Sequence, residues 1–482
     1  MVKTIGNVQK DAQVRAVASG TLSNGNTIIV NSDGTVSAVE GSDEATGTPV
    51  VAVAEYATYA SAAYDVNAQK VVIAYQANND SGKGKAVVGT VSGTSISFGT
   101  PVVFENANTT FISAVYDANA QKIVIAYRDG GNVNSGTAIV GTVSGTSISF
   151  GSPTVFESVN STFISASYDN TNNKVVIAYR DNGNSDYGTA IVGTVSGTSI
   201  SFGTATVFAS TTVDEIGSTY DSNAQRVVIA YRNELSSPGN NGETRVGTVS
   251  GTSISFGSAV TFAVANSRRM SLAYDSNAQK VVLAYSDHDD SQKGKALVGT
   301  VSGTSISFGS VVTWETDSTT YKAAVYDANA QKVVIAYSDG GNSGAGTLAI
   351  GTVSGTSISF DTPIVYSSNQ NEYIGATYDS VDNNVIVAYR DGSNSSELTS
   401  AVYSAGSTNL TSDNFIGFAD GAYADTQSAV INTTCSVARN QTSLTAGQKY
   451  YVQTNGALSE TAGDPSVEAG TAISSTEILV KG

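Results

Sequence analysis

The chain of 482 residues carries 41 acidic and 24 basic side chains, and its net charge of −17 disfavours nucleic acid and anionic membranes as partners because steering toward them is repulsive. No stretch approaches the roughly 20 apolar residues of a membrane span, so no membrane insertion is expected. The single cysteine, Cys435, excludes an intrachain disulfide framework, and we expect it to be a small buried residue. The single histidine, His288, argues against a histidine-based metal site or a Ser-His-Asp triad, and we interpret it as a solvated loop residue.

The first 46 residues are predicted to form part of a small β domain. Met1–Gly6 is followed by polar residues rather than by an apolar segment, so no signal peptide is predicted. From Asn24 to Ser37 the sequence has the pattern of a strand, an Asp-Gly turn and a second strand, which is typical of a β-hairpin.

Residues 47–406 contain seven repeats. The string Gly-Thr-Val-Ser-Gly-Thr-Ser-Ile-Ser-Phe occurs six times, at intervals of 52, 52, 54, 52 and 52 residues. A second string, Tyr-Asp followed by a polar turn and a β-branched run ending in Ala-Tyr, occurs seven times. Its Tyr-Asp pairs begin at Tyr64, Tyr116, Tyr168, Tyr220, Tyr274, Tyr326 and Tyr378. A fixed period of this length indicates a repeat architecture.

Each repeat contains four runs of strand length, and the second repeat shows them clearly. Phe111 to Asp117 is small and apolar, Lys122 to Tyr127 is rich in Val and Ile, and Thr137 to Val143 is less regular. Ser147 to Phe156 contains Gly151 and Pro153, so we expect it to bend. Seven such modules predict an all-β fold, a seven-bladed β-propeller with the small first run innermost.

The seventh repeat has no fourth run after Tyr403, and a segment before the first repeat resembles the missing run. We therefore expect a strand near Thr48 to Val53 to pair with the strand around Thr399 to Tyr403 and to close the propeller. Closure of this kind removes exposed strand edges, which promote aggregation.

Residues 407–482 do not follow the repeat. Ala446 to Ser459 has the same hairpin pattern as Asn24 to Ser37. Two related hairpins on either side of the repeats predict one discontinuous β domain, formed by residues 1–46 and 407–482, into which the propeller is inserted.

The two ends also carry a family resemblance. Phe415 to Ala419, Leu444 to Val452, Ala469 to Ser474 and Ile478 to Lys481 resemble a C-terminal module of structural proteins from tailed bacteriophages. Ala18 to Gly25 resembles the N-terminal segment that often accompanies that module. The resemblance is limited to the terminal segments. It implies a tail-fibre, appendage or capsid-surface protein, assembled in the host cytoplasm and exposed on the virion, with other virion structural proteins as partners.

One face of the predicted propeller carries the loops between the second and third strands, and these loops differ among repeats. The hairpin Val-Ser-Gly-Thr-Ser on the other face is unchanged in six repeats. Variable loops on a rigid scaffold often carry recognition. On the variable face, the residues five positions before each Tyr-Asp tyrosine are expected to surround the mouth of the channel: Tyr59, Phe111, Phe163, Glu215, Arg269, Tyr321 and Tyr373.

Two interpretations of this mouth remain open. In the first, its aromatic side chains are exposed and stack on sugar rings. In the second, each residue pairs with the end of the second strand opposite, with Phe111 on Arg128 and Phe163 on Arg180 as cation–π pairs and Glu215 with Arg232 as an ion pair. The candidate ligand-binding residues are Tyr59, Phe111, Phe163, Tyr321, Tyr373, Arg128, Arg180 and Tyr187.

The sequence favours a non-enzymatic virion surface protein whose propeller binds host-surface glycans or receptors. The alternatives are a capsid-decoration or appendage subunit without a specific ligand and a polysaccharide-degrading enzyme. A glycosidase needs two carboxyl groups about 5–9.5 Å apart, but the recurring Glu105, Glu157 and Glu315 have the regularity of structural residues. We predict no catalytic residue, no metal and no cofactor, and the sequence leaves the oligomeric state open.

Overall fold

A computed structural model describes residues 12–236, 240–463 and 465–481. Met1–Gly6, where no signal peptide was predicted, lies outside this part of the chain. The chain divides into two compact units, Thr46–Ser404 and the pair of segments Met1–Ala45 and Ala405–Gly482. The described residues form strands and two short 3-10 helices, Asn78–Asp80 and Gly340–Asn342, so the all-β prediction is confirmed. No helix in these ranges is long and apolar enough to cross a membrane.

The unit Thr46–Ser404 is built on one antiparallel sheet of 29 strands in which four kinds of strand recur. The long strands are Val50–Asp65, Val102–Asp117, Thr154–Asp169, Thr206–Asp221, Val260–Ala263 with Ser267–Asp275, Val312–Asp327 and Ile364–Asp379. The second strands are Lys70–Ala77, Lys122–Asp129, Lys174–Asp181, Arg226–Asn233, Lys280–Asp287, Lys332–Asp339 and Asn384–Asp391. The third strands are Lys83–Ser92, Ser135–Ser144, Tyr187–Ser196, Asn241–Ser250, Lys293–Ser302, Ala345–Ser354 and Glu397–Ser404. The short fourth strands are Ser95–Phe98, Ser147–Phe150, Ser199–Phe202, Ser253–Phe256, Ser305–Phe308 and Ser357–Phe360, and Ala45–Thr46 completes the sheet.

Each long strand belongs to two modules. In Val102–Asp117 the first half pairs with the third strand of the preceding module, with Val102 opposite Ala86. The second half pairs with the second strand of its own module, with Ser113 opposite Ala126. The predicted fourth run therefore breaks after its first few residues, as its Gly and Pro indicated, and its remainder continues into the next innermost strand.

The seventh module contacts the first in the same way. Val50–Asp65 pairs with Glu397–Ser404, with Val53 opposite Leu398 and Val51 opposite Thr399, so the predicted pairing is confirmed. Tyr64 also lies near the Asp379 carboxylate of the seventh module, and burial together with this negative charge raises the pKa of Tyr64.

The repeated Tyr-Asp pair links neighbouring modules. Asp117 Oδ1 accepts the backbone N–H groups of Asn119 and Ala120, at 3.0 and 2.9 Å, and so caps its own turn. The hydroxyl of Tyr168, in the next module, accepts from the same Asn119 N–H at 3.0 Å. Equivalent bonds join Asn223 to Tyr274 and Asn329 to Tyr378. We call the end of the modules that carries these turns the turn end, and the opposite end the loop end.

The second strands form the core and are buried on both faces. In the second module every residue from Ile123 to Tyr127 is inaccessible to solvent, and the last tyrosine of this apolar run is nearly inaccessible in each module. In five modules its hydroxyl donates to a glutamate at 2.7–3.1 Å, in the pairs Tyr75–Glu55, Tyr127–Glu105, Tyr179–Glu157, Tyr231–Glu243 and Tyr337–Glu315. Glu105, Glu157 and Glu315 therefore each bind a core tyrosine, as a structural role requires.

The other unit contains two five-stranded sheets and one pair of short strands. In sheet order the strands are Gln13–Val17, Ser428–Asn432, Phe415–Ala419, Thr27–Val30 and Val36–Ala38, then Val437–Ala438, Ile478–Val480, Val467–Ala472, Lys449–Val452 and Leu458–Ser459, with Gly41–Ser42 beside Ser407–Thr408. The first sheet interleaves strands from both ends of the chain. Both predicted hairpins are present. The expectation for Cys435 was wrong: it is exposed, because it lies in a turn with a left-handed backbone, φ 65°.

The packing of neighbouring modules predicts a strong effect of Gly151→Ala. A Cβ at Gly151 would lie 1.9 Å from the carbonyl oxygen of Thr198 in the next module, a backbone atom that cannot move away alone. We expect a loss of roughly 3 kcal/mol or more, from overpacking. The matched control is Gly145→Ala, in a hairpin turn with φ 61° and open space around its Cβ, where the left-handed backbone costs about 1 kcal/mol. Thermal unfolding should show the larger fall in Tm for Gly151→Ala; equal effects would contradict this account of module packing.

Candidate functional site

A β-bulge recurs at the loop end of every long strand and places seven side chains in equivalent positions. In the first module, the pairing with the second strand is interrupted between Thr58 and Ser61. The first residue of each bulge has a left-handed backbone, with φ between 40° and 55°. We call these residues the bulge row: Tyr59, Phe111, Phe163, Glu215, Arg269, Tyr321 and Tyr373. A left-handed backbone is costly for bulky residues, so its recurrence shows that the surrounding fold imposes it.

The side chains of the bulge row contact one another from module to module. Ring centroids lie 5.3 Å apart for Phe163 and Phe111, 5.4 Å for Phe111 and Tyr59, 5.3 Å for Tyr59 and Tyr373, and 5.1 Å for Tyr373 and Tyr321. The row then continues with charged residues: the Arg269 guanidinium lies 4.4 Å from the Tyr321 ring centroid, and the Arg269 backbone N–H donates to Glu215 Oε2 at 3.0 Å.

The structure brings the five candidate aromatics together. All five residues are half-buried, and their rings are tilted against those of their neighbours. Two further candidates lie along the third module's loop. Arg180 ends its second strand, and Tyr187 begins its third strand, where it pairs with Asp181 and Thr212.

The predicted cross-strand partners of the row need correction. The bulge adds a residue to the long strand, so the residue opposite each second-strand end is the one before the row: Thr110 faces Arg128, and Arg128 Nε donates to Thr110 Oγ1 at 2.8 Å. The cation–π pair of Arg128 and Phe111 is nevertheless confirmed, with 5.1 Å between guanidinium carbon and ring centroid.

The other two predicted pairs were wrong, because each arginine forms an ion pair with a different carboxylate. The Arg180 guanidinium forms an ion pair with Asp186 at 2.8 Å rather than lying on Phe163. Arg232 forms its ion pair with Asp214, the residue before Glu215, and a second one with Glu234 at 3.1 Å.

The fourth and seventh modules share one charge pattern, and the fifth differs from it. In the fourth and seventh, a carboxylate before the row faces an arginine, as Asp214 with Arg232 and Glu372 with Arg390. In the fifth module, Arg268 on the long strand faces Ser286, which is fully buried. The position opposite Arg268 therefore holds a hydroxyl rather than a carboxylate, and Arg268 Nε donates to Asn266 Oδ1 at 3.2 Å.

Beside Arg268 lies a buried lysine that the sequence analysis missed. Lys322 is 9% exposed and donates from Nζ to Ser286 Oγ at 2.5 Å, while Ser286 donates to the Thr319 carbonyl oxygen at 2.6 Å. The equivalent residues of the other modules are apolar: Ala60, Ile112, Ile164, Ile216, Met270 and Ile374. We call Arg268, Arg269 and Lys322 the basic cluster. Aligning the seven repeats would have revealed it, since each of its residues departs from most of its counterparts.

Burial lowers the pKa of Lys322 to about 7, and the positive charge of Arg269 acts in the same direction while Glu215 opposes it. His288 is half-buried rather than solvated as expected, and burial together with Arg268, Arg269, Lys322 and Arg232 lowers its pKa. Among the described residues no group of three or more His, Cys, Asp or Glu side chains is arranged to hold a metal ion.

The turn end has a different chemistry. One cavity there, of about 360 Å³, is lined by small residues of the inner strands and by Tyr168, Tyr220 and Tyr274. The tyrosine hydroxyls are engaged in the turns of neighbouring modules, as Tyr220 is with Thr171 Oγ1 at 2.7 Å. The cavity therefore offers mainly backbone, hydroxyl and methyl groups, in contrast to the charged side chains of the loop end.

No protein-family model and no curated protein matches the chain. Among solved structures it is similar to the lectin BP39L from Burkholderia pseudomallei, with a TM-score of 0.55 and 11% identity, over 74% of this chain and 98% of that chain. A protein of unknown function from Dyadobacter fermentans DSM 18053 has a TM-score of 0.47 and 11% identity, over 75% and 99% of the two chains. Sqt1 from Saccharomyces cerevisiae has a TM-score of 0.44 and 10% identity, over 75% and 98%. The likeness to the lectin shows a shared all-β fold.

The buried lysine predicts a pH-dependent difference in stability between the wild type and Lys322→Met. The unfolded chain binds the lysine proton more tightly than the folded chain, so this group destabilises the fold fully below pH 7 and progressively less as pH rises toward 10.5. The variant should be more stable at pH 6 by up to about 5 kcal/mol, which corresponds to a pKa lowered from 10.5 to about 7. Thermal unfolding of both proteins at pH 6 and pH 9 tests this. A stability difference that stays constant with pH would contradict it.

Proposed function

We propose that the chain is a non-enzymatic carbohydrate-binding protein, and that Thr46–Ser404 is a seven-bladed β-propeller whose loop end binds the sugar. Support for the propeller comes from the seven equivalent modules and from the contacts of the seventh with the first. Support for carbohydrate as the ligand class includes the fold likeness to a lectin, although at 11% identity that likeness transfers no binding site.

The bulge row is the observation that carries the functional proposal. Five aromatic rings meet at one end of the modules, and each of the five residues is only half-buried. Sugar rings present apolar C–H faces that pack on aromatic rings, while side chains such as Arg128 and Arg390 supply donors for hydroxyl groups at the same end. Both arginines already lie on the row's rings, at 5.1 Å from Phe111 and 5.0 Å from Tyr373.

The loop end is also asymmetric, as recognition of a specific glycan requires. Aromatic residues occupy five positions of the row, and the two remaining positions hold Glu215 and Arg269 side by side. The loops around them differ as well: Asp80 binds Lys83 and Lys85 in the first module, whereas Asp186 binds Arg180 in the third.

We further propose that the chain is a surface protein of a tailed-phage virion, held by the unit formed from the chain's two ends. The support is the resemblance of the terminal segments to phage structural proteins, and the partners would be other virion proteins. A host-surface glycan would then be the ligand of the loop end.

Replacing Tyr321 and Tyr373 by alanine should reduce glycan binding at least tenfold, because both substitutions remove a surface on which a sugar stacks. The measurement is a glycan array read with the wild type and the double variant. The matched control is Tyr321→Phe with Tyr373→Phe, which keeps both rings and should bind normally, since Phe111 and Phe163 occupy equivalent positions. Unchanged binding by the alanine variant, with an unchanged Tm, would remove these residues from the site.

The virion proposal predicts which parts of the chain an antibody can reach on intact particles. An epitope tag inserted at Asn132, in an exposed loop of the loop end, should be labelled on virions by immunogold electron microscopy. The same tag at Thr21, in an exposed turn of the terminal unit, should be detected in the isolated protein but masked on virions. Equal labelling of both sites on virions, or absence of the protein from virions, would contradict this assignment.

A further inference from the structure

We propose that the glycan bound at the bulge row is anionic, and that its carboxylate or sulfate group binds the basic cluster of Arg268, Arg269 and Lys322. This inference rests on the proposed carbohydrate-binding function and specifies the chemical class of the sugar.

The basic cluster is unusual for this chain because acidic residues greatly outnumber basic ones, 41 to 24. Three of the four arginines near the ends of second strands have carboxylate partners: Asp186 for Arg180, Asp214 for Arg232 and Glu372 for Arg390. The fourth, Arg128, binds Thr110 and the Phe111 ring. Within the described residues, none of the three cations of the cluster forms an ion pair. Arg268 uses Nε on Asn266 and Arg269 lies on the Tyr321 ring, so both guanidinium groups retain donors suited to a planar anion.

Lys322 gives the strongest indication of an anion. Burying an ammonium group is costly unless a negative charge or several acceptors compensate it, and among the described residues its acceptor is Ser286 Oγ. An apolar residue fills the same position in six other modules, so the fold does not require a lysine there. A bound anionic group would add to the charge compensation that Glu215 gives and favour the protonated amine.

The other charged groups near the Lys322 amine already have partners of their own, so they do not take the place of a bound anion. Glu215 is the carboxylate that acts on Lys322, and it already accepts the Arg269 backbone N–H at 3.0 Å. Arg232 forms ion pairs with Asp214 and Glu234, and burial together with the nearby cations lowers the pKa of His288, which disfavours its charged form. Asp287 and Asp290 of the neighbouring loop are occupied, the former by backbone N–H groups and the latter by Lys293 and Lys295.

The position of the cluster matches the stacking surface. Lys322 follows Tyr321 directly, and the Arg269 guanidinium covers part of that ring at 4.4 Å. A sugar that stacks on Tyr321 or Tyr373 would therefore place a charged substituent beside the cluster. Because Lys322 loses its proton near pH 7, affinity for the anion should fall as the pH rises from 6 to 8.5, while the arginines stay charged.

The test is an array of neutral, uronic-acid, sialylated and sulfated glycans, read with the full chain at pH 6 and pH 8.5 in 150 mM salt. The wild type should retain anionic glycans at least tenfold more strongly than neutral glycans of the same length, with a smaller ratio at pH 8.5.

Lys322→Met and Arg268→Thr should each lower that ratio at least fivefold, and the Met variant should lose the pH dependence. Lys174→Met, which removes the same charge at the turn end, should leave the ratio unchanged. Comparison of the uronic, sialylated and sulfated arms identifies the anion.

Three results would overturn the inference while leaving carbohydrate binding intact. They are retention of neutral glycans alone, an anionic preference that survives both cluster variants, and an equal loss in Lys174→Met, which would indicate net charge rather than a site. Retention of no glycan by a folded wild type would overturn the proposed function itself. Circular dichroism of each variant confirms folding, and Arg268→Thr, with the residue found in four other modules, keeps the test decisive if Lys322→Met alters the core.

Discussion

The recurring constraint in this protein is the bulge in each long strand, where the chain changes from the third strand of one module to the second strand of the next. The change of partner leaves two residues unpaired and holds the first of them in a left-handed conformation, φ 40–55° in all seven modules. The neighbouring modules fix this backbone. Because the backbone does not depend on the identity of the side chain, phenylalanine, tyrosine, glutamate and arginine all occupy the same position. The fold therefore places seven side chains at the loop end without restricting which residue types occupy these positions.

Because the scaffold is uniform and the bulge row varies, the differences between modules are concentrated at the loop end. The turn end repeats one set of hydrogen bonds, in which an aspartate caps a turn and a tyrosine of the next module joins it. At the loop end the same geometry holds an aromatic run in the first three and last two modules and a charged pair between them. The basic cluster shares Arg269 with that charged pair. Next to it, Ser286 occupies a position that holds an arginine in four other modules, and Lys322 occupies one that is apolar in all the others.

The sequence predicted much of the fold because its repeats are nearly identical. The seven modules, the bent fourth run, the two terminal hairpins and the pairing of Val50–Asp65 with Glu397–Ser404 all followed from repeated strings and strand counts. The register at the loop end did not follow, because a β-bulge adds a residue without a sequence signal. That one residue puts Asp214 rather than Glu215 opposite Arg232, so the Glu215–Arg232 pair was wrong. Arg128 still contacts Phe111 in this register, whereas Arg180 forms its ion pair with Asp186 instead of lying on Phe163. Lys322 was overlooked because only a comparison of equivalent positions distinguishes it from a solvated lysine.

Binding of sugar at the loop end is tested most directly by a crystal structure of the full chain in complex with an oligosaccharide that it binds in solution. We expect a sugar ring in contact with Tyr321 or Tyr373, with its substituents within hydrogen-bond distance of Arg269 or Lys322. A sugar found instead in the cavity at the turn end, beside Tyr168 and Tyr220, would contradict it, since the bulge row would then be a packing device alone.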